Sequence, residues 1–271
     1  WHHPDALHLM VEAMRIAYAD RAEYLGDPDF VDVPVAALIS PAYGKLRRQE
    51  IDPNQARPWK VIRAADPQTL ERVLKLKESH DTSHLNVVDG AGNAVSLTFT
   101  VNLGFGAGVV AQGTGIVLNN EMDDFATAPN VPNAFGLVGR DANAIAPGKT
   151  PLSSMTPTIV TQNGQLRLVV GAPGGSTIIT TVLQVVLNTL VYKMDARRAV
   201  AAPRLHHQWL PDRLRVEQWG FDRLTLEDLR RRGHQIEEGG NWGNGNAIVR
   251  TPAGWLEGAA DPRGEGTAYG Y

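Results

Sequence analysis

The chain contains no cysteine. That excludes disulfides, thiolate metal sites and a thiol nucleophile, and it leaves the redox compartment undecided. An uninterrupted apolar run is missing as well. The longest, Ile178 to Val191, is broken by Thr180, Thr181, Gln184, Asn188 and Thr189, so it reads as a buried helix and not as a membrane span. There is no charge excess of either sign to speak of. The formal net charge is −3, and the one basic cluster clear of acidic neighbours, Arg230-Arg231-Arg232, falls on the solvated face of an amphipathic pattern, which argues against a nucleic-acid or other polyanion binder. Gly171-Ala172-Pro173-Gly174-Gly175-Ser176-Thr177 lacks the lysine of a phosphate-binding loop, and no His, Asp or Glu spacing supports a metal site. Chemistry in this chain has to come from oxygen and nitrogen. With 271 residues and 43% hydrophobic content, it is long enough to bury a sizeable core.

What is present starts with helical spacing. Leu7, Leu9, Met10, Ala13, Met14 and Ala17 predict a helix opened by Pro4 and stopped by Gly26-Asp27-Pro28, with a second over Pro41 to Glu50. Trp1-His2-His3-Pro4 leads into this pattern with no start methionine or targeting segment, as expected of the inside of a longer polypeptide. Residues 54 to 81 form a charged linker with a helix expected at Gln68 to Leu76. From Ser83 the pattern turns to β. His84 to Asp89 and Ala94 to Asn102 alternate around a glycine-containing turn, and a short strand is expected at Gly115 to Leu118. Residues 126 to 151, with four prolines and three glycines, read as a long ordered loop. A second hairpin, Thr156 to Val160 with Gln165 to Gly171, turns on Asn163-Gly164. Ser176 is placed to cap the apolar helix from Thr177, and a short helix follows Asp195. Strands near Leu214, Gln235, Ala247 and Trp255 and a helix at Leu224 to Arg232 complete the chain. His206 and His207, being adjacent, point different ways and read as structural; Trp209 and Trp219 read as packing residues. The pattern predicts an α+β arrangement dominated by antiparallel hairpins and excludes a doubly wound parallel sheet.

One stretch has chemical content of its own. His80-Asp81-Thr82-Ser83-His84 is a polar junction running straight into a strand. If the bond before Thr82 is cut, Thr82 carries a free α-amine beside its own hydroxyl, and an amine of pKa about 7.7 to 8.0 can take the hydroxyl proton near neutral pH. On spacing alone, Asp-Thr-Ser reads more readily as a turn capping the strand.

The segment DTSHLNVVDGAGNAVSLTFTVN, from Asp81 to Asn102, resembles the start of the small subunit of γ-glutamyltranspeptidases, where Thr-[Thr/Ser]-His precedes a Val-Val-Asp hairpin. LNNEMDDF, PLSSMTPTIV, GAPGGSTIITTVLQV, APRLHHQWLPD and ADPRGEGTAYGY resemble the same family, in its order. The resemblance implies the four-layer αββα sandwich of N-terminal nucleophile hydrolases, with antiparallel sheets. It assigns residues 1–81 to the end of the large subunit and 82–271 to the small, catalytic subunit, most of the large subunit being absent.

It also implies roles. Thr82 is the nucleophile, exposed by cleavage between Asp81 and Thr82, and Thr100 is the second threonine that assists it. Gly174 and Gly175 supply oxyanion-hole N–H groups. Glu121 and Asp124, helped by Asn102, bind an α-ammonium, Ser153 and Ser154 bind an α-carboxylate, and Phe135 stands where several bacterial members carry a lid tyrosine. The implied activity is self-processing followed by cleavage of the γ-glutamyl amide of glutathione and related compounds, with transfer to water or amino acids and no cofactor. The implied partners are the rest of the large subunit and small molecules, and the implied location is periplasmic or secreted. Two alternatives stay open: a glutaryl (cephalosporin) acylase of the same fold, and a binding domain that never processes.

Overall fold

The computed structural model describes residues 1–62, 82–129 and 131–270; the helix expected at Gln68 to Leu76, and Asp81, lie outside the described residues. In chain order the helices are α1 (Pro4–Tyr24), α2 (Val35–Leu38), α3 (Pro41–Arg48), α4 (Trp59–Ile62), α5 (Thr177–Leu190), α6 (Ala196–Ala201) and α7 (Arg223–Arg231). The strands are β1 (Ser83–Val88), β2 (Ala94–Phe99), β3 (Thr158–Gln162), β4 (Gln165–Gly171), β5 (Leu205–His206), β6 (Leu214–Glu217), β7 (Ile236–Gly239), β8 (Asn246–Arg250) and β9 (Leu256–Ala259). The chain forms two units. One is Trp1–Glu78, Glu121–Ser153 and Leu205–Gly239, and the other is Ser79–Asn120, Ser154–Arg204 and Gly240–Tyr271.

In the first unit, α1 begins at Pro4, whose missing N–H costs nothing at that position, and His3 Nδ1 accepts from Asp5 N at 3.3 Å. Its apolar stripe of Leu7, Val11 and Met14 packs on Leu205, Leu214, Val216, Leu226 and Leu229. The sheet here is β5-β6-β7. Its β6–β7 pair is parallel, because α7 carries the chain back to the starting edge, whereas the other pairs of these named strands are antiparallel.

In the second unit a four-stranded antiparallel sheet, β3-β4-β8-β9, packs Leu168, Val170, Ala247 and Val249 against Ile178, Val182 and Val185 of α5 and Ala199 and Val200 of α6. The β3–β4 turn has Asn163 at φ 53° and Gly164 at φ 75°, the pair of positive angles a type I′ turn requires. In the β1–β2 hairpin, Leu85, Val87, Val95, Leu97 and Phe99 are exposed. The opposite face, His84, Asn86, Ser96 and Thr98, is polar and turned inward: Ser96 Oγ reaches Val170 O at 3.2 Å and Asn86 Nδ2 donates to Asn246 O at 2.8 Å.

Three local expectations are corrected. Gly115 to Leu118 is not a strand but part of a loop with an isolated Val110–Val117 bridge, tied back by Ala111 N to Ile116 O and Leu118 N to Val109 O, each at 2.8 Å. Ser176 is helical at φ −60° and makes no capping bond; Thr177 closes the turn instead, donating from N and Oγ1 to Gly174 O at 3.0 and 2.7 Å. Trp219 does not pack: it is 90% exposed at a tight turn, whereas Trp209 is buried.

The terminal Asp261-Pro262-Arg263 segment is locked from inside. Arg204, buried, pairs with Asp261 and donates to Trp242 O at 2.9 Å and Val200 O at 2.7 Å, while Asp261 also accepts from Gly245 N at 2.8 Å and Arg263 N at 3.0 Å. Removing one partner of a buried pair strands the other charge. Asp261→Ala is therefore expected to lose about 3–5 kcal/mol, read as a lower urea midpoint at unchanged m-value. A loss below about 1 kcal/mol would show that water reaches Arg204. Among the described residues, no helix is long and apolar enough to cross a membrane.

Candidate active site

The hairpin ladder fixes the first group of candidate residues, in the second unit. Ser83 pairs with Phe99, so one further step sets Thr82 opposite Thr100 at the open end. The two hydroxyls meet there, Thr82 Oγ1 to Thr100 Oγ1 at 3.2 Å. Thr100 Oγ1, which accepts from the Thr82 hydroxyl, also accepts from the N–H of Asn102 at 2.8 Å, and the two bonds together fix the orientation of its lone pairs. Asn102 sits at φ 77°, a left-handed conformation asparagine tolerates, and is buried. Its Nδ2 is committed to Asn120 O at 3.0 Å, so Oδ1 is the atom suited to a cationic ligand.

His84 supports this hairpin from below. Asn86 must point its Nδ2 at the Asn246 carbonyl, so its Oδ1 receives a proton from His84 Nε2 at 2.9 Å, and His84 Nδ1 accepts from Thr98 Oγ1 at 2.8 Å. Burial lowers the His84 pKa, which keeps the ring neutral in this tautomer. The ring lies on Gly171, where an added methyl would collide with it.

From Gly171 the chain runs into Gly174 and Gly175, at φ 132° and 54°, both in the left-handed half of the map where a side chain would be strained. Their carbonyls turn into α5, Gly174 O accepting from Thr177 N at 3.0 Å and Gly175 O from Ile178 N at 3.2 Å. Among the described residues, no acceptor takes up the N–H of either glycine. Two free backbone donors at the positive end of a buried helix can receive a developing oxyanion.

The first unit holds the acidic group. Glu121–Asp124 form one 3₁₀ turn. Asp124 is pushed up to about 7 by burial first and then by the Glu121 charge, against the Arg21 guanidinium, which pulls it down. Burial also raises Glu121. A partly desolvated carboxylate pair of this kind favours a cation, which would relieve both. Ser153 is exposed and Ser154 half-buried, both in irregular chain; Arg21 Nη2 lies 3.5 Å from Ser153 O, and Thr156 Oγ1 donates to Ser154 O at 2.8 Å. Phe135 is buried in a turn that Asn133 Oδ1 closes by accepting from Phe135 N at 3.0 Å and Leu137 N at 3.1 Å.

His206 and His207 are both buried. His206 Nε2 bonds Gln208 Oε1 at 2.9 Å, and His207 lies 3.3 Å from Asp212 with its own pKa lowered by burial. Sequence reasoning does not single out Arg21, Asn143 or His84 as site residues. Arg21 falls within a helical run of mixed charge and Asn143 within a loop, and neither carries a local signal; His84 stands in the Thr-Ser-His motif, the one signal that could have found it. Among the described residues, no three His, Cys, Asp or Glu side chains group as a metal site.

Comparison with known proteins follows the same lines. The family described as Gamma-glutamyltranspeptidase matches residues 1–271. A glutathione hydrolase proenzyme from Escherichia coli K12 is 52% identical over 259 residues, covering 96% of this chain and 43% of the relative. Acylase ACY 1 proenzyme from Pseudomonas sp. strain SE83 is 38% identical over 264 residues, covering 97% and 43%. The chain therefore spans less than half the length of these relatives. Among solved structures, a gamma-glutamyltranspeptidase mutant from Helicobacter pylori aligns with TM-score 0.65 at 50% identity, covering 67% of this chain and 100% of that one. A cephalosporin acylase from Bacillus halodurans aligns with TM-score 0.79 at 30% identity, covering 100% of this chain and 47% of that one. These are mixed α+β proteins of the N-terminal nucleophile hydrolase fold, as this chain is. With a match over its whole length and identity above half to one relative, the chain belongs to the gamma-glutamyltranspeptidase family.

Proposed function

We propose that this chain is the catalytic portion of a self-processing γ-glutamyltranspeptidase that acts on glutathione and related γ-glutamyl compounds. Residues 1–81 are the end of the large subunit and 82–271 the small subunit, with the rest of the large subunit as partner. A solved relative that is covered completely uses 67% of this chain, close to the share lying from Thr82 onward. The protein works in the periplasm or outside the cell, on family grounds.

The reading rests chiefly on the paired hydroxyls of Thr82 and Thr100 at the hairpin's open end. In the precursor, Thr82 Oγ attacks the Asp81 carbonyl, the acyl group shifts from nitrogen to oxygen, and water releases Thr82 as a new N-terminus. In the mature protein the Thr82 α-amine takes the hydroxyl proton as Oγ adds to the γ-carbonyl. The N–H groups of Gly174 and Gly175 hold the oxyanion. Collapse expels the leaving amine, which collects that proton, and leaves a γ-glutamyl ester on Thr82. Water or an amino-acid amine then takes the acyl group, in a ping-pong sequence without a cofactor. Glu121, Asp124 and Asn102 receive the α-ammonium, Ser153 and Ser154 the α-carboxylate, and Phe135 belongs to the covering loop.

A second reading, a glutaryl acylase, draws on the acylase similarity at 38% identity. The raised carboxyl of Asp124 beside Glu121 favours the amine-recognising enzyme, because a substrate without an ammonium leaves both acids unrelieved. γ-Glutamyl-p-nitroanilide is expected to be turned over with a kcat/KM at least about 100-fold above glutaryl-p-nitroanilide, the scale of one ion-paired ammonium. A preference for the glutaryl compound would reverse the assignment.

A further inference from the structure

We propose that Asn143 is the positioning residue that sets the spacing between the acidic turn and Ser153, and so makes the site selective for an α-amino acid head group; the proposal rests on the functional reading above. Asn143 ends a short 3₁₀ turn, Asp141–Asn143, deep in the first unit, and is only 6% exposed. Its backbone oxygen accepts from Ala126 N at 2.9 Å and its Nδ2 donates to Asp124 O at 2.9 Å, two bonds to the acidic segment. Its Oδ1 accepts from Leu152 N at 3.0 Å, a bond to the residue before Ser153. A carbonyl on one side and an N–H on the other leave no ambiguity about which way the amide points.

One buried amide therefore measures the distance between a carboxylate and a hydroxyl that are far apart in sequence. The turn that carries it cannot slide. The Ala142 carbonyl occupies the space where Gly26 would have a side chain, and it accepts from Lys149 Nζ at 2.9 Å. Asp27 Oδ2 accepts from Thr150 N at 2.7 Å, holding the approach to Leu152. A ligand bearing an ammonium and a carboxylate on one carbon engages both ends only if their spacing is held to a fraction of an ångström. A ligand with the carboxylate alone engages one end and does not depend on that spacing.

The test uses the full-length protein carrying Asn143→Ala or Asn143→Asp, the second keeping the shape and the bond to Leu152 while losing the donor to Asp124. With γ-glutamyl-p-nitroanilide, KM is expected to rise about 10- to 100-fold while kcat stays within about threefold and the cut at Thr82 proceeds. Competitive inhibition by L-glutamate should weaken by the same factor, and inhibition by glutarate should not. A merely structural role would lower the urea midpoint and the active fraction without separating glutamate from glutarate. Unchanged KM in either folded variant, or equal loss for the two inhibitors, overturns the proposal. Wild type run alongside keeps the two ideas apart: if it shows no γ-glutamyl turnover, the functional reading itself fails.

Discussion

Replacing Thr82 by alanine is expected to leave the full-length protein uncut and to lower γ-glutamyl turnover by at least about 10⁴-fold, the scale on which removing a nucleophile acts. The size follows from the double use of one residue. On the proposed mechanism its hydroxyl opens the precursor and later carries the acyl group, and its amine, exposed only by the first event, is the base for the second. Thr82→Ser keeps the hydroxyl and should still cut, with turnover within about 100-fold of wild type. It loses the methyl that limits rotation of the hydroxyl toward Thr100, which lies 3.2 Å away. The checks are a denaturing gel, N-terminal sequencing of the smaller product and steady-state kinetics. A cut before residue 82 that survives in Thr82→Ala would remove the mechanism. A wild-type chain that is never cut would point to the binding-domain alternative.

The second large effect concerns Asp124. Asp124→Asn is expected to raise KM for γ-glutamyl-p-nitroanilide at least about 100-fold, because truncating one partner of a desolvated ion pair costs about 2–5 kcal/mol. Wild type should show the matching pH dependence. The carboxyl titrates near 7 with nothing bound, so it is largely protonated below that, and KM should fall as pH rises through about 7 and the anion forms. In Asp124→Asn that limb should disappear.

Stability should move the other way. A folded-state pKa raised from 3.8 to about 7 means that the folded protein binds the proton more tightly than the unfolded chain. The resulting stabilisation is present at low pH and is lost between about 4 and 7. The neutral amide introduced by Asp124→Asn has no charge to desolvate, so the variant should be at least as stable as wild type at neutral pH. A variant that is weaker in both KM and urea midpoint would mean that Asp124 is structural.

Much of this fold is legible in the sequence because it is local. Pro4 and the spacing from Leu7 to Met14 define α1, Asn163-Gly164 defines a type I′ turn, and Asp195, whose Oδ1 accepts from Arg198 N at 2.8 Å, caps α6. The register that sets Thr82 opposite Thr100 also follows from the length of one hairpin. The parts that failed depended on partners the sequence does not name. Ser176 has the side chain of a cap, but the helix enters through a glycine turn that puts Ser176 already in helical conformation, so no side-chain cap bond forms and Thr177 Oγ1 instead donates to Gly174 O. Trp219 has the bulk of a core residue and stands 90% exposed, at a turn where its φ is 64°.

By itself, then, the sequence determined the period of each element, the absence of thiol chemistry and the order of the family's motifs. Period cannot decide which face of a strand is covered: in β1 and β2 alternation was evident, yet it is the polar set, His84, Asn86, Ser96 and Thr98, that turns inward, toward Val170, Gly171 and Asn246. Only the tertiary structure decided that, as it decided that Asn143 joins Asp124 to Leu152 and that burial lifts the Asp124 carboxyl to about 7. The reason is the same in each case. Spacing along the chain is fixed by covalent geometry and backbone sterics, whereas burial and hydrogen-bond pairing depend on groups brought together from distant positions.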